Sequence, residues 1–314
     1  MPDSTESHAP DGAEEGEAPA LGGEAETATA AELGVPGPGE LIFPRLQITS
    51  TNVDEHGPRL LVGEAEPFEF RQSNVRLRRE LGMLKQRPDF RNRPGRLHLA
   101  RLGVCLKYVG DFDFRGAREA ARIVKLGSLL TSEIAYLTIW WGIQHHRGKL
   151  MFPYSFRCGQ CGVEFKPGTV EVTPGSLRVQ RYDPKHEKNV ALGSPNLPFA
   201  LVGLHDEVKL GKRDATWVKV VPPLTQRHID PSTPEEWDCD ELGDIRMAAA
   251  SIDQINGEDA VVSVGQLDEM ADADLENIVR AIKQVQCGPT DRFKWKHEAC
   301  GAEAFLPLDW RSDF

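Results

Sequence analysis

Two nine-residue stretches of this chain are near copies of one another. Residues 156–164 read Phe-Arg-Cys158-Gly-Gln-Cys161-Gly-Val-Glu, and residues 295–303 read Trp-Lys-His297-Glu-Ala-Cys300-Gly-Ala-Glu, at a constant offset (297 − 158 = 139). Aligned in this way, aromatic meets aromatic, base meets base, the ligand-type residues coincide, and Gly162, Val163 and Glu164 match Gly301, Ala302 and Glu303. Each copy carries two soft or borderline ligands three positions apart, followed by a glycine that lets backbone N–H groups turn toward the sulfurs. That is the pattern of a zinc knuckle. Two knuckles together supply Cys158, Cys161, His297 and Cys300, a Cys₃His set that closes a tetrahedron around Zn²⁺ and leaves no position for water, which marks a structural site over a catalytic one.

The separation of the knuckles is far beyond the dozen or so residues of a zinc finger. One shared metal therefore ties the end of the chain to its middle and closes the stretch from about 156 to 303 into a unit. Structural zinc in small domains is worth on the order of 10–16 kcal/mol, comparable with the whole stability of a domain. Two alternatives stay open from sequence alone. The stretches could be plain turns with free thiols, or Cys287, which precedes Gly288, could pair with Cys300 and displace His297. Against the second, Cys287 has no counterpart ten residues before Cys158.

The 314 residues allow one large or two ordinary domains. Residues 1–40 hold ten acidic side chains and no Lys or Arg, so they account for all but one of the eleven net negative charges. Rich in Ala, Gly, Glu, Pro and Thr, this segment cannot bury enough apolar surface to offset its ordering entropy, and it reads as a disordered acidic tail. It lacks the basic start and apolar core of a signal peptide. No run reaches the roughly 18 apolar residues of a membrane span; the richest, 129–143, is interrupted by Thr131, Ser132 and Glu133. Six cysteines, two in a CxxC and one in an HxxC, point to metal binding in a reducing compartment and a cytoplasmic location.

The expected fold class is α+β, with an α-rich region over 41–150 and a zinc-ribbon-like region over 151–314 in which β hairpins and a helix join the two knuckles. Residues 41–70 read as short strands and loops. Helices are expected over about 74–86, over 94–109 with Leu99, Leu102, Leu106 and Val109 on one face, and over 131–146 with Thr131 and Ser132 as candidate caps. Residues 216–221 follow a turn at Gly211 and stop at Pro222-Pro223, as one arm of a hairpin does. A last helix, about 272–286, carries Leu275, Ile278, Val279, Ile282 and Val285 at helical spacing and delivers the chain into the second knuckle.

Other conspicuous residues have plain readings. Of Trp140 and Trp141, adjacent on a helix, one belongs in the core and one at an interface; His145 and His146 read as imidazoles at a helix end, Cys105 as core, and Cys239 as a bystander in an acidic loop. No GxSxG, P-loop, HExxH, GxGxxG or zinc-deaminase pattern occurs, so the sequence argues against an enzyme. The ten bases between Arg71 and Arg101 form the one locally basic run; it reads as a solvated face or as a docking site for an acidic partner, and nucleic-acid binding by a zinc ribbon is the less favoured alternative.

Taken in order, the leucine-rich helical lead-in, the segment 129–149 running into the CxxC knuckle, the strand ending in Pro222-Pro223, and the helix into a second knuckle near an acidic-aromatic terminus resemble the T-even-phage-type baseplate hub assembly chaperones of contractile tails and extracellular contractile injection systems. The resemblance covers roughly residues 70–314. It departs at His297, where the family more usually has Cys, at the terminus, which keeps only Phe314 of a phenylalanine pair, and at the added acidic tail. The resemblance implies a non-enzymatic chaperone that binds baseplate hub or tail proteins during assembly; a structural baseplate component would differ in staying within the finished particle.

Overall fold

The computed structural model describes residues 34–43, 48–62, 66–90, 93–145, 150–152, 154–182, 198–229, 243–290 and 292–307. Its first half holds β1 (Leu41–Ile42), β2 (Ile48–Asn52), α1 (Val53–His56), β3 (Phe68–Phe70), α2 (Val75–Lys85), α3 (Pro94–Cys105), β4 (Leu106–Val109), β5 (Phe112–Asp113), α4 (Glu119–Gly127) and α5 (Thr131–His145). Then come five short strands, β6 (Leu150–Met151), β7 (Phe156–Arg157), β8 (Glu164–Phe165), β9 (Glu171–Val172) and β10 (Arg178–Tyr182), followed by β11 (Ala200–Leu210), β12 (Arg213–Val220), α6 (Thr225–Ile229) and α7 (Gly243–Ser251). The chain closes with β13 (Ile252–Ile255), β14 (Glu258–Asp259), α8 (Asp272–Val285), β15 (Gly288–Pro289), β16 (Arg292–Lys296) and β17 (Glu303–Pro307). The fold is α+β, and among the described residues every paired strand is antiparallel.

The expected helices over 74–86, 131–146 and 272–286 stand as α2, α5 and α8. Asn74 caps α2 by accepting the N–H of Leu77 at 2.9 Å, and Leu77 and Leu84, two turns apart, face the core. The expected helix over 94–109 is shorter. It stops at Cys105 because the next four residues gain more as a strand: Phe68 and Glu69 pair with Val109 and Tyr108, and Lys107 meets the Glu69 carboxylate at 2.8 Å. Leu106 and Val109 are buried as predicted, but from β4. Thr131 and Ser132 do not cap α5. Glu133 does, accepting the N–H of Leu130 at 3.1 Å and reaching across to the N–H of Leu61 at 3.3 Å, while the Thr131 hydroxyl donates to the carbonyl of Pro223.

A five-stranded sheet has the order β1-β11-β12-β13-β14; β11 to β14 lie between the two knuckles in sequence, and β1 joins their edge from far upstream. Its alternation splits two cores. Ala200, Val202, Val218, Val220 and Ile252 pack with Ile278, Ile282 and Val285 of α8. Leu201, Phe199 and Val221 face the other way and join a cluster that runs from Val53 to Leu306, so packing is continuous across residue 150. On that second face Lys219 is buried, 3.7 Å from the Asp253 carboxylate and with its ammonium over the Phe199 ring. Asn256 and Gly257, both at positive φ, make the two-residue turn between β13 and β14.

Of the expected acidic tail, residues 1–33 lie outside the described residues. The remainder is held: the N–H of Gly39 donates to Gly203, the N–H of Gly203 donates to Glu40, and β1 follows along the edge of β11. A Cβ on Gly203 would overlap the carbonyl of Gly37, so glycine is required for this close approach. Trp141 is buried and Trp140 partly so, both on α5. Cys239, His146 and the residues from 308 to the terminus lie outside the described residues.

Candidate metal centre

The two knuckles are two antiparallel hairpins with the same register. Phe156 pairs with Phe165 and Arg157 with Glu164 in the first; Trp295 pairs with Ala304 and Lys296 with Glu303 in the second, each residue 139 positions after its counterpart (295 − 156 = 139). Their turns repeat bond for bond. Cys158 N–H donates to the carbonyl of Val163 at 2.9 Å and Gly162 N–H to that of Cys158 at 3.0 Å. In the second turn His297 donates to Ala302 at 2.8 Å and Gly301 to His297 at 2.7 Å. Gly162 and Gly301 sit at φ +71° and +73° in the left-handed region. The sequence repeat is thus a structural repeat.

Across the pair, Cys158, Cys161, His297 and Cys300 meet with all four ligand atoms within 4.8 Å of one another. Three of the separations are 3.1 Å from His297 Nδ1 to Cys300 Sγ, 3.4 Å from Cys161 Sγ to His297 Nδ1, and 3.6 Å between the Cys158 and Cys300 sulfurs. Zn–S bonds of about 2.3 Å and Zn–N bonds of about 2.0 Å set tetrahedral edges near 3.5–3.8 Å. Two of the three separations fall at or within about 0.1 Å of that range, and the one between two sulfurs is far longer than a disulfide bond.

These four residues lie close enough to hold a metal ion. No family model, curated protein or solved structure matches the chain.

Electrostatics at the site favour a cation. The N–H groups of Cys161 and Gln160 point at the Cys158 sulfur and bring its thiol down to about 6, which favours the thiolate. Cys300 receives a similar bond from the N–H of Ala302, yet burial and the neighbouring Cys158 and Cys161 sulfurs leave its thiol above the ordinary range. The second thiolate is opposed by the first, and a divalent ion bound between them removes that opposition. The donors also differ in access: Cys158 is buried, His297 and Cys300 are half-buried, and Cys161 is exposed.

An aromatic bed fixes the hairpins against each other. Phe156 and Phe165 stack at 4.9 Å, Trp295 stands edge-on to both at 4.9 and 5.1 Å, and the His297 ring stacks on Trp295 at 5.4 Å. These contacts orient the imidazole so that Nδ1 faces the sulfurs. Phe165 was not singled out from sequence, although its place across the hairpin from Phe156 follows from alternation around the turn. Cys287 does not compete for the site: among the described residues only the four knuckle positions form a cluster of metal-ligand type, and Cys287 is fully buried in the core. His145 stacks on Trp141 and belongs to no such cluster. Cys105 is core, with burial pushing its thiol up to about 12.

Proposed function

We propose that this protein is a non-enzymatic assembly chaperone for the baseplate hub of a contractile tail or contractile injection system, built on a scaffold braced by one structural zinc ion. The observation that carries the zinc assignment is the convergence of two equivalent hairpins into one Cys₃His set. Three thiol sulfurs and one imidazole are the donor set of structural zinc, and four protein ligands leave no position for a substrate. Zinc here joins residues 158 and 161 to residues 297 and 300, and so holds β7–β8 against β16–β17 at the end of the main core. Its chemistry is confined to holding those strands.

The assembly role is supported by the order of elements: α5 leading into the first knuckle, β12 ending at Pro222-Pro223, and α8 leading by way of β15 into the second. In cells assembling contractile tails, tagged protein should co-purify with free hub subunits and be absent, by quantitative mass spectrometry, from finished particles. Persistence in the particles at fixed stoichiometry would replace the chaperone by a structural baseplate component. No association with hub subunits in either fraction would remove the reading.

One observation favours a second reading. The outward side of β16 presents Arg292, Lys294 and Lys296, and Phe305 of β17 stands 68% exposed directly across from Lys294. Bases interleaved with an exposed ring fit a single-stranded nucleic acid. Binding to a single-stranded oligonucleotide that weakens steeply with salt and vanishes in Phe305→Ala would support it.

A further inference from the structure

The charge of this chain is segregated along it. Residues 1–33 carry nine acidic side chains and no Lys or Arg, whereas residues 71–101 carry ten bases against Glu80 and Asp89. The two segments thus hold −9 and +8. Much of the positive charge is gathered on one helix face. Leu77 and Leu84 of α2 point inward, and the opposite side exposes Arg76, Arg78, Arg79, Gly82 and Lys85 together with Val75, 83% exposed, and Met83, 51% exposed.

At 100° per residue, Val75, Arg79, Gly82 and Gln86 form the outward ridge, with Arg78 and Lys85 on one flank and Arg76 and Met83 on the other. Nothing lies within 4 Å of the position a Cβ would take on Gly82, so the ridge has an open notch at its middle. The single acid of the helix, Glu80, is already engaged by Arg71 at 3.0 Å and Arg76 at 3.1 Å. Arg78, Arg79 and Lys85 have no acidic partner among the described residues.

The N-terminal end of the helix is also unfavourably charged, although Lys85 in the last turn suits the C-terminal end. The first turn contains no acid, while Arg76 and Arg78 sit where the macrodipole is positive. Crowded like charges and an uncompensated helix N-terminus are both relieved by the same ligand, an extended polyanion lying along the outward ridge.

We propose that residues 1–33 dock on the outward face of α2 as an acidic strap. Three things select this occupant. Its charge is opposite and nearly equal to that of the basic run. Its reach is ample, since 33 residues span up to about 110 Å when extended, against a diameter of roughly 50 Å for a domain of this size. It leaves the described fold at Gly34, next to the segment hydrogen-bonded to β11, so its effective concentration at the surface of the same molecule is in the millimolar range. The strap is held by charge, and an external acidic partner reaches α2 only by displacing it. The inference stands apart from the baseplate reading and survives its failure.

The test is zero-length carbodiimide crosslinking of the full chain, mapped by mass spectrometry on a mixture of light and isotope-labelled protein. Lys85 is the reactive amine on the face, and Arg79→Lys adds a second at its centre without changing charge. The strap predicts intramolecular crosslinks from Glu14, Glu15, Glu17, Glu24 or Glu26 to Lys85, and to residue 79 in the variant. They should be lost in about 1 M salt, where the Debye length falls to roughly 3 Å, and in R76E/R78E/R79E, whose metal content and thermal midpoint confirm folding. Any of four outcomes overturns the proposal: crosslinks spread evenly over Lys209, Lys283, Lys294 and Lys296; products joining light and labelled chains, which assign the strap to a second copy; acids of residues 230–242 as the crosslinked partners; or no product at Lys85 or residue 79.

Discussion

Gly162 and Gly301 offer a way to weaken the metal site without touching a ligand. Both hold φ near +72°, at +71° and +73°, and both have open space where a Cβ would stand. Replacement by alanine therefore meets no clash, and the penalty is one of backbone conformation. An L-residue in the left-handed region costs about 1–2 kcal/mol, offset by about 0.4–1 kcal/mol because alanine restricts the unfolded chain. The net loss is about 1 kcal/mol per knuckle, or roughly fivefold in an equilibrium constant. Each alanine distorts the turn whose N–H groups face the sulfurs, so the loss should appear as weaker zinc binding in competition with a chromogenic chelator and as a lower thermal midpoint at fixed free zinc. Gly162→Ala and Gly301→Ala should have similar effects, and Asn at either position, which tolerates this conformation better, should recover part of the loss. A large effect at one glycine and none at the other would refute the equivalence of the two knuckles on which the clamp rests.

Three further outcomes follow from the packing. Burial pushes the Glu133 carboxyl up to about 7, above its value in an unfolded chain, so the folded state holds a proton there that the unfolded state has released. Stability from this group is present in full below about pH 4.5 and is lost as pH rises through about 7; Glu133→Gln should therefore gain about 3 kcal/mol relative to wild type between pH 5 and pH 8 in denaturant titrations, and a parallel pH dependence of the two proteins would show that the proton is not held. Gly203→Ala should destabilise by about 1–3 kcal/mol, read as a lower denaturation midpoint with faster hydrogen exchange at Gly39, because the Gly37 carbonyl has to move; unchanged exchange would mean the segment is not packed as described. Cys287→Ser should keep one zinc per chain while lowering the thermal midpoint, and loss of zinc would return Cys287 to the ligand set.

What the sequence made legible is local in character. The knuckles could be read because ligand spacing, turn glycine and flanking aromatics all fall within nine residues, and α2, α5 and α8 because apolar periodicity extends over several turns. The five-stranded sheet could not be assembled, since its edge pairs Leu41 with Val202 across the chain and nothing in Leu41-Ile42 names that partner. The end of α3 was misplaced for a related reason. Leu106 and Val109 fit a helical face as well as a strand, and only Phe68 and Glu69 beside them decide the matter. At the site, the four ligands could be aligned from sequence, but the exclusion of Cys287 needed the fold, because spacing does not say which thiol a core will cover. Glu133 looked like an interruption in an apolar run; its role as a cap that also holds Leu61 depends on a loop far away in sequence.

The clamp itself is tested most directly by the metal content of protein purified under reducing conditions, wild type beside Cys158→Ser and His297→Ala. One zinc per chain in wild type, lost in both variants together with cooperative unfolding of the core that Phe156 and Trp295 share, is the predicted result. Wild-type protein without zinc, or His297→Ala with its zinc and stability intact, would contradict it.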